Sequence, residues 1–369
     1  MTMVMAARTC LLLLLTILPL IATTTHCKRQ KNTTNVIDSC RRLQANWTNN
    51  RQALAGCAIG LGKDAMGGKL GAIYVVTDPS DDPKNPKQGT LRHGVIQSKP
   101  LWIVFARDMV IKLKNELMIN SNKTIDGRGA KVDIAYGPCL KIEHANHVIV
   151  HDISIHDCKP RKNDAIMIYD SKNIWIDHCY FARATNGVVV DVIHGSNGIT
   201  ISNNYFSELD KASIHVHAKA HLRPLLWSML QGYKNNSTEH KNKKVTVSFN
   251  LFAPGGLTKK QPRVRSGHVH VANNNYEGWG MMFSIEGSDN PTFFTQGNYV
   301  IAPYSDKNPK NVKGYFLNVT SFGKYGCETC FPNYSKEETF GHVNESLIVP
   351  ALRASAGPLN CSSTKNKSC

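Results

Sequence analysis

The chain has 369 residues, 41% of them hydrophobic and 19% charged, enough for a sizeable core in one large solenoid or two ordinary domains. Its 44 Lys and Arg against 27 Asp and Glu leave a formal charge of +17, which calls for a polyanionic partner. Beyond the first 26 residues no segment is long and apolar enough to span a bilayer.

Residues 1–26 read as a secretory signal peptide. Arg8 precedes the apolar run from Cys10 to Ala22, and small polar residues, Thr23 to Thr25, follow it. The run is too short for a comfortable membrane span. Secretion makes the cysteines legible as disulfide partners. The close spacings Cys40/Cys57 and Cys361/Cys369 suggest bridges, although sequence leaves the full connectivity open. Cys327-Glu-Thr-Cys330 has no second CxxC, so zinc and redox roles are set aside. Asn-X-Ser/Thr sequons recur from Asn32 to Asn366, consistent with a glycoprotein. Outside the cell, a basic surface points to acidic polysaccharide and the cell wall before nucleic acid.

Residues 27–70 form a second segment. Within it, 37–70 predict a short helix and a Gly-rich turn that cap the open end of the main body. Gly60-Leu-Gly62 and Gly67-Gly68 lack the spacing of a nucleotide motif.

Residues 71–304 repeat. Strand-like units begin at Val148, Ile174, Ile199, Val245, Val269 and Phe293, as in VIVHD, IWIDH and ITISNN. Most starts lie about 25 residues apart, which fits one unit per turn of a solenoid. The interval from Ile199 to Val245 is nearly double, and SIHVHA (213–218) is read as the unit within it. The units are β-branched, alternating, and bounded by Gly, Asn or Ser. None could bury its apolar face alone, whereas stacking buries a continuous core. The fold class is therefore all-β, a parallel β-helix with long side loops. Leu at fixed offsets, the mark of a leucine-rich repeat, is missing. Recurrent Asn203, Asn250, Asn273 and Asn298 predict an internal side-chain ladder at one corner. Trp175 reads as core, and Asp177 and His178 as parts of the stack rather than a catalytic pair. Residues 219–244 read as an irregular loop, with Glu239–Lys244 (EHKNKK) a solvated charged run. Residues 305–369 are a Lys- and Ser-rich C-terminal extension.

Several stretches together resemble plant pectate lyases, a polysaccharide lyase family that includes pectate-lyase-like pollen allergens. They include NRQALAGCAIGLGKDAMGG (50–68), GTLRHGVIQSKPLWIVFARD (89–108), NSNKTIDGRGAKV (120–132), IWIDHC (174–179), GSNGITISNNYF (195–206) and VHVANNNYEGW (269–279). The similarity runs from about residue 37 to 304. It implies a right-handed parallel β-helix, eliminative cleavage of α-1,4-linked polygalacturonate, and calcium. It also implies a secreted protein that binds pectate, with neither nucleic acid nor membrane as partner; a monomer is expected.

The resemblance implies site residues as well, with changes. The family's Asp-Gly-Asp matches Lys162-Asn163-Asp164, and its Asp-Gly-Leu-Ile-Asp matches Asn186 to Asp191 with one extra residue. Asp164, Asn186 and Asp191 are thus the candidate calcium ligands. Fewer carboxylates imply weaker binding, and the Lys162 ammonium stands where a dication would. Lys211 matches a substrate-binding Lys. The family's Arg-X-Pro-X-X-Arg becomes Lys260-Gln-Pro262-Arg263-Val-Arg265, making Lys260 the proton acceptor, with Arg265 beside it and Arg263 binding substrate. Lys is a point charge on a flexible stem where Arg is a planar fork. The main expectation is therefore a calcium-assisted lyase with weakened turnover; a degenerate pectin-binding protein comes second. A polygalacturonase-type hydrolase ranks third, because hydrolysis needs clustered carboxylates.

Overall fold

The computed structural model describes residues 34–369 apart from 45, 160–163, 185–188, 209–228, 232–242, 254–261, 265–266, 278–285, 288–291, 302–313, 318–347, 360 and 362–368. The chain winds through three sheets in turn. One circuit runs from Asn146–His151 in the first sheet to Ser154–His156 in the third, Ile166–Tyr169 in the second, and back to Lys172–Asp177 in the first. Among the described residues the sheets hold nine, seven and nine strands. All pairings are parallel except that of Asn298–Ile301 with Gly314–Leu317. This is the right-handed parallel β-helix expected.

Register explains why the repeat is visible in sequence. Val148, Ile174, Ile199, Val245, Val269 and Phe293 are successive partners in the first sheet. Side chains alternate across a strand, so an in-register parallel stack puts like on like. The β-branched residues at these positions fill the interior, and Val148, Ile174, Ile199, Val245 and Val269 are fully buried. In the third sheet Phe181, Phe206, Phe252 and Tyr276 stack with centroids 5.2, 4.9 and 4.7 Å apart.

The long interval contains one turn, not two. Ile199 pairs directly with Val245, so no strand of the first sheet intervenes. SIHVHA lies outside the described residues. The expected 219–244 loop contains a strand, Met229–Gln231, which pairs with Val190–Ile193 in the second sheet. The excess length lies on either side of Met229–Gln231, outside the described residues.

The corner ladder forms, but through a different member of two Asn-Asn pairs. Its rungs are Asn204, Asn250, Asn274 and Asn298. Each Nδ2 donates to the next Oδ1, at 3.0, 3.0 and 2.9 Å. Asn203 and Asn273 precede them with φ of +54°, a left-handed bend that asparagine tolerates. That bend directs the following side chain inward.

Helix α1, Val36–Arg42, is the helix expected in 37–70; Asn35 caps it by accepting from Asp38 N. It covers the flank of the middle turns: Ile37 and Leu54 pack with Trp102, Ile149, Trp175 and Phe249 on the outer face of the first sheet. Hydroxyls on that face fasten the arm. Thr246, Thr200 and Thr124 accept from Leu61 N, Gly62 N and Gly68 N at 2.9, 2.9 and 3.0 Å. The Gly-rich turn is a close approach of backbones: a Cβ on Gly68 would lie 1.9 Å from the Leu101 carbonyl oxygen. At the N-terminal end, helix α2, Leu91–Val95, places Leu91 and Val95 in the interior cluster. Helix α3, Ile348–Ser355, lies in the C-terminal region, and Gly357 N donates to the Asn203 carbonyl at 2.7 Å.

Cys40–Cys57 and Cys361–Cys369 are bonded as expected, and Cys139–Cys158 is a further bridge. Among the described residues no helix is long and apolar enough to cross a membrane.

Candidate functional site

The second sheet carries the residues singled out by motif. Its strands alternate between interior and outward positions. Ile166, Ile168, Val190 and Val192 point inward and are fully buried. The outward row runs through Lys141, Met167, Asp191, Leu230, Arg263 and Glu286, each register-paired with the next. Asp191 and Arg263 are two strands apart in this row, about 10 Å at ordinary strand spacing. Asp164 stands two residues before Ile166, in the segment that leads into the strand next to that of Asp191. Both carboxylates are buried, Asp164 at 4% exposure and Asp191 at 7%.

The structure thus brings Asp191 and the backbone of Arg263 to one sheet, with Asp164 at the entry to one of its strands. Lys162, Asn186, Lys211, Lys260 and Arg265 lie outside the described residues.

A residue the sequence reading misplaced is Lys243. It belongs to the EHKNKK run taken as solvated, yet it is 1% exposed. Its Nζ donates to the Val192 carbonyl at 3.3 Å, next to Asp191. Burial lowers its pKa to about 8, while the Asp191 charge pulls the other way. A signal did exist. The repeat aligns Lys243 with Asn197, two residues before their strands' first inward positions, whereas a free loop would carry it into solvent.

Buried carboxylate oxygens are hard donors of the type calcium takes. The carboxylates of Asp164 and Asp191 therefore fit such an ion in donor chemistry, and the ammonium of Lys243 offsets part of the Asp191 charge.

A second cluster has metal-like donors but a different character. One ligand atom each of His151, Asp177 and His178 lie within 4.8 Å of one another, all fully buried. His178 Nδ1 sits 2.6 Å from Asp177 Oδ2, and its Nε2 sits 3.1 Å from Asp38 Oδ1. Burial alone would lower this imidazole. The two carboxylates outweigh burial and raise it to about 9, so it is a cation at neutral pH. His151 goes the other way: burial lowers it to about 4 against the pull of Asp177. Burial would raise Asp38, yet His178 and Arg41 hold it near 2. The group is an ion network under the N-terminal arm, and imidazole donors do not suit calcium. Asp177 and His178 are parts of the stack, as the sequence suggested.

Comparison with known proteins shows the family. Residues 53–309 match the family model described as pectate lyase. A protein named putative pectate lyase 2 from Arabidopsis thaliana is 50% identical over 363 residues, with 89% of each chain covered. A pectate lyase from Zinnia elegans is 49% identical over 290 residues, covering 73% of this chain and 68% of that one. The crystal structure of jun a 1, the major allergen from cedar pollen, superposes with a TM-score of 0.74 at 36% identity. It covers 89% of this chain and 100% of that one.

Proposed function

Since the chain belongs to the pectate lyase family, we propose that it cleaves α-1,4-linked polygalacturonate by β-elimination, outside the cell, with calcium at Asp164 and Asp191. The observation that supports this reading is the buried carboxylate of Asp191 in one register row with Arg263, with the buried carboxylate of Asp164 at the entry to the neighbouring strand. Asn186 completes the ligand set through its amide oxygen, with fewer anionic donors than the family pattern and so a weaker hold.

The chemistry divides among this chain's side chains. Lys260 removes the C5 proton of a galacturonate unit. The C4–O bond to the leaving sugar then breaks and a C4–C5 double bond forms. Negative charge grows on the adjacent carboxylate, and cations preorganised around it lower the barrier. Bound calcium would supply part of that charge compensation. Arg265 supplies another part, and Lys211, Arg263 and Lys162 hold the substrate carboxylates. Neighbouring cations favour the neutral amine that Lys260 needs as a base.

The test is ultraviolet absorbance of polygalacturonate with purified protein, in calcium and in chelator. The unsaturated product absorbs, so a calcium-dependent rise is expected. A rise unaffected by chelator would move the charge compensation to Lys162. Binding without any rise would overturn the lyase reading and leave a pectin-binding protein.

A further inference from the structure

We propose that a recess on the first sheet, away from the candidate cleft, is a second binding site for a carboxylate-bearing saccharide unit of an acidic polysaccharide. The recess has a volume of about 220 Å³, room for a single sugar unit. It opens where the strands Lys172–Asp177, Asn197–Ser202 and Lys244–Ser248 begin, against the N-terminal arm. The candidate site lies on the outer face of the second sheet, so the recess on the first sheet is separate from it.

Its charge is the first argument. Among the described residues, Lys63, Lys172 and Lys244 line it, with Asp64 as the one acid. These lysines come from three separate segments that the fold brings to one concave spot. Three cations to one carboxylate give the lining a net positive charge, which favours an anionic ligand.

The second argument is preorganisation. Lys63 directly follows the turn Gly60–Gly62, which Thr246 and Thr200 pin to the sheet through Leu61 N and Gly62 N. Lys172 and Asn197 are register partners. Asn197 Oδ1 accepts from Gly198 N at 2.8 Å and from Lys244 N at 3.1 Å. Its oxygen is therefore occupied, and the amide NH2 is the end left to donate to a ligand oxygen. Asn173 adds a second amide beside it.

The lining chemistry selects the ligand class. No aromatic ring lines the recess to stack a nucleobase. Its cations are lysine point charges without the planar forks that grip phosphate bidentately. Amides beside ammonium groups suit a carboxylate flanked by hydroxyls. A polygalacturonate strand repeats that unit, so a second foothold raises the local concentration of substrate at the cleft. This inference rests on the reading of the chain as a polygalacturonate-acting protein.

The experiment is calorimetric titration of trigalacturonate into the intact secreted chain in chelator, where no calcium-assisted turnover competes. The variants are the double substitution Lys63→Glu with Lys172→Glu, both at exposed positions, and Asp191→Asn. Wild-type protein should show two classes of site. The double variant should lose one class, weakened at least about tenfold, with an unchanged urea midpoint and an unchanged initial rate on trigalacturonate. Asp191→Asn should affect the other class. Equal binding by wild type and double variant overturns the proposal, as does a wild type that binds no trigalacturonate. Inorganic phosphate displacing trigalacturonate at equal concentration also overturns it, by showing a general anion site. A double variant that loses binding while wild type yields no unsaturated product would keep this site and overturn the lyase reading alone.

Discussion

Replacing Asn250 by Ala tests whether the corner ladder holds the turns in register. Asn250 Oδ1 accepts from Asn204 N at 2.9 Å and from Asn204 Nδ2 at 3.0 Å. Its Nδ2 donates to the Ile201 carbonyl at 2.9 Å and to Asn274 Oδ1 at 3.0 Å. All of these partners sit in the interior, where Asn204, Asn250 and Asn274 are fully buried. Alanine keeps the backbone bond from Asn250 N to Asn274 Oδ1, so Asn274 Oδ1 retains one donor. Asn204 Nδ2 retains the Ile176 carbonyl. One group is orphaned, the Asn204 backbone N–H; the Ile201 carbonyl keeps its place in a strand paired on both sides. An unsatisfied buried group costs about 1–3 kcal/mol, so the loss should be about 2 kcal/mol, before any cavity contribution. The assay is urea unfolding followed by circular dichroism, with Asn203→Ala for comparison at the bend. The midpoint should fall with little change in slope. A loss under about 1 kcal/mol would refute the reasoning, because it would mean that water or a shifted side chain satisfies the orphaned N–H.

The remaining predictions concern the arm, the ion network and the site. Gly68→Ala should lift the arm, because the new methyl meets the Leu101 carbonyl oxygen at 1.9 Å; Gly56, with nothing within 4 Å, is the control. Limited proteolysis should cleave the arm of Gly68→Ala well before that of Gly56→Ala, and equal rates would contradict the clash. His178 is raised to about 9, so its contribution to stability is complete below about pH 6.5 and is lost as pH climbs toward 9. Wild type should lose up to about 3 kcal/mol across that window, and His178→Gln should be flatter in the same urea titration. His151, lowered to about 4, acts in the opposite sense: stability falls as pH drops from about 6.5 toward 4, and His151→Gln should lessen that fall. Lys260→Ala should reduce turnover at least about 100-fold with bound substrate retained, the pattern of a lost base. A steady-state comparison that finds only KM changed would reassign Lys260 to substrate binding.

Much of the fold was legible in the sequence because its information is local. Strand alternation has a period of two, and an in-register parallel stack repeats each inward residue on the next turn. Val148, Ile174, Ile199, Val245, Val269 and Phe293 therefore align in sequence and in space for the same reason. Asp164 and Asp191 were singled out by motif, and the place of Asp191 in the outward row of the second sheet follows from that same register.

Other features depended on what meets across the fold. Within Asn203-Asn204 and Asn273-Asn274 both members look alike in sequence, and only the left-handed bend at the first decides which one enters the ladder. The long interval could have held two turns. Ile199 meeting Val245 shows a single turn with added length, since loop length costs little free energy and leaves no periodic trace. Lys243 looked like one of several surface lysines until the Val192 carbonyl and Asp191 were seen beside it. Trp175 was rightly read as core, but its apolar partners belong to an arm more than a hundred residues earlier in the chain. His178 owes its charge to Asp38 on that same arm. Sequence alone determined the period, the inward faces and the family motifs, which are local patterns. Tertiary structure decided which face the arm covers and which charges meet, because burial and Coulomb energy depend on distance in space and not along the chain.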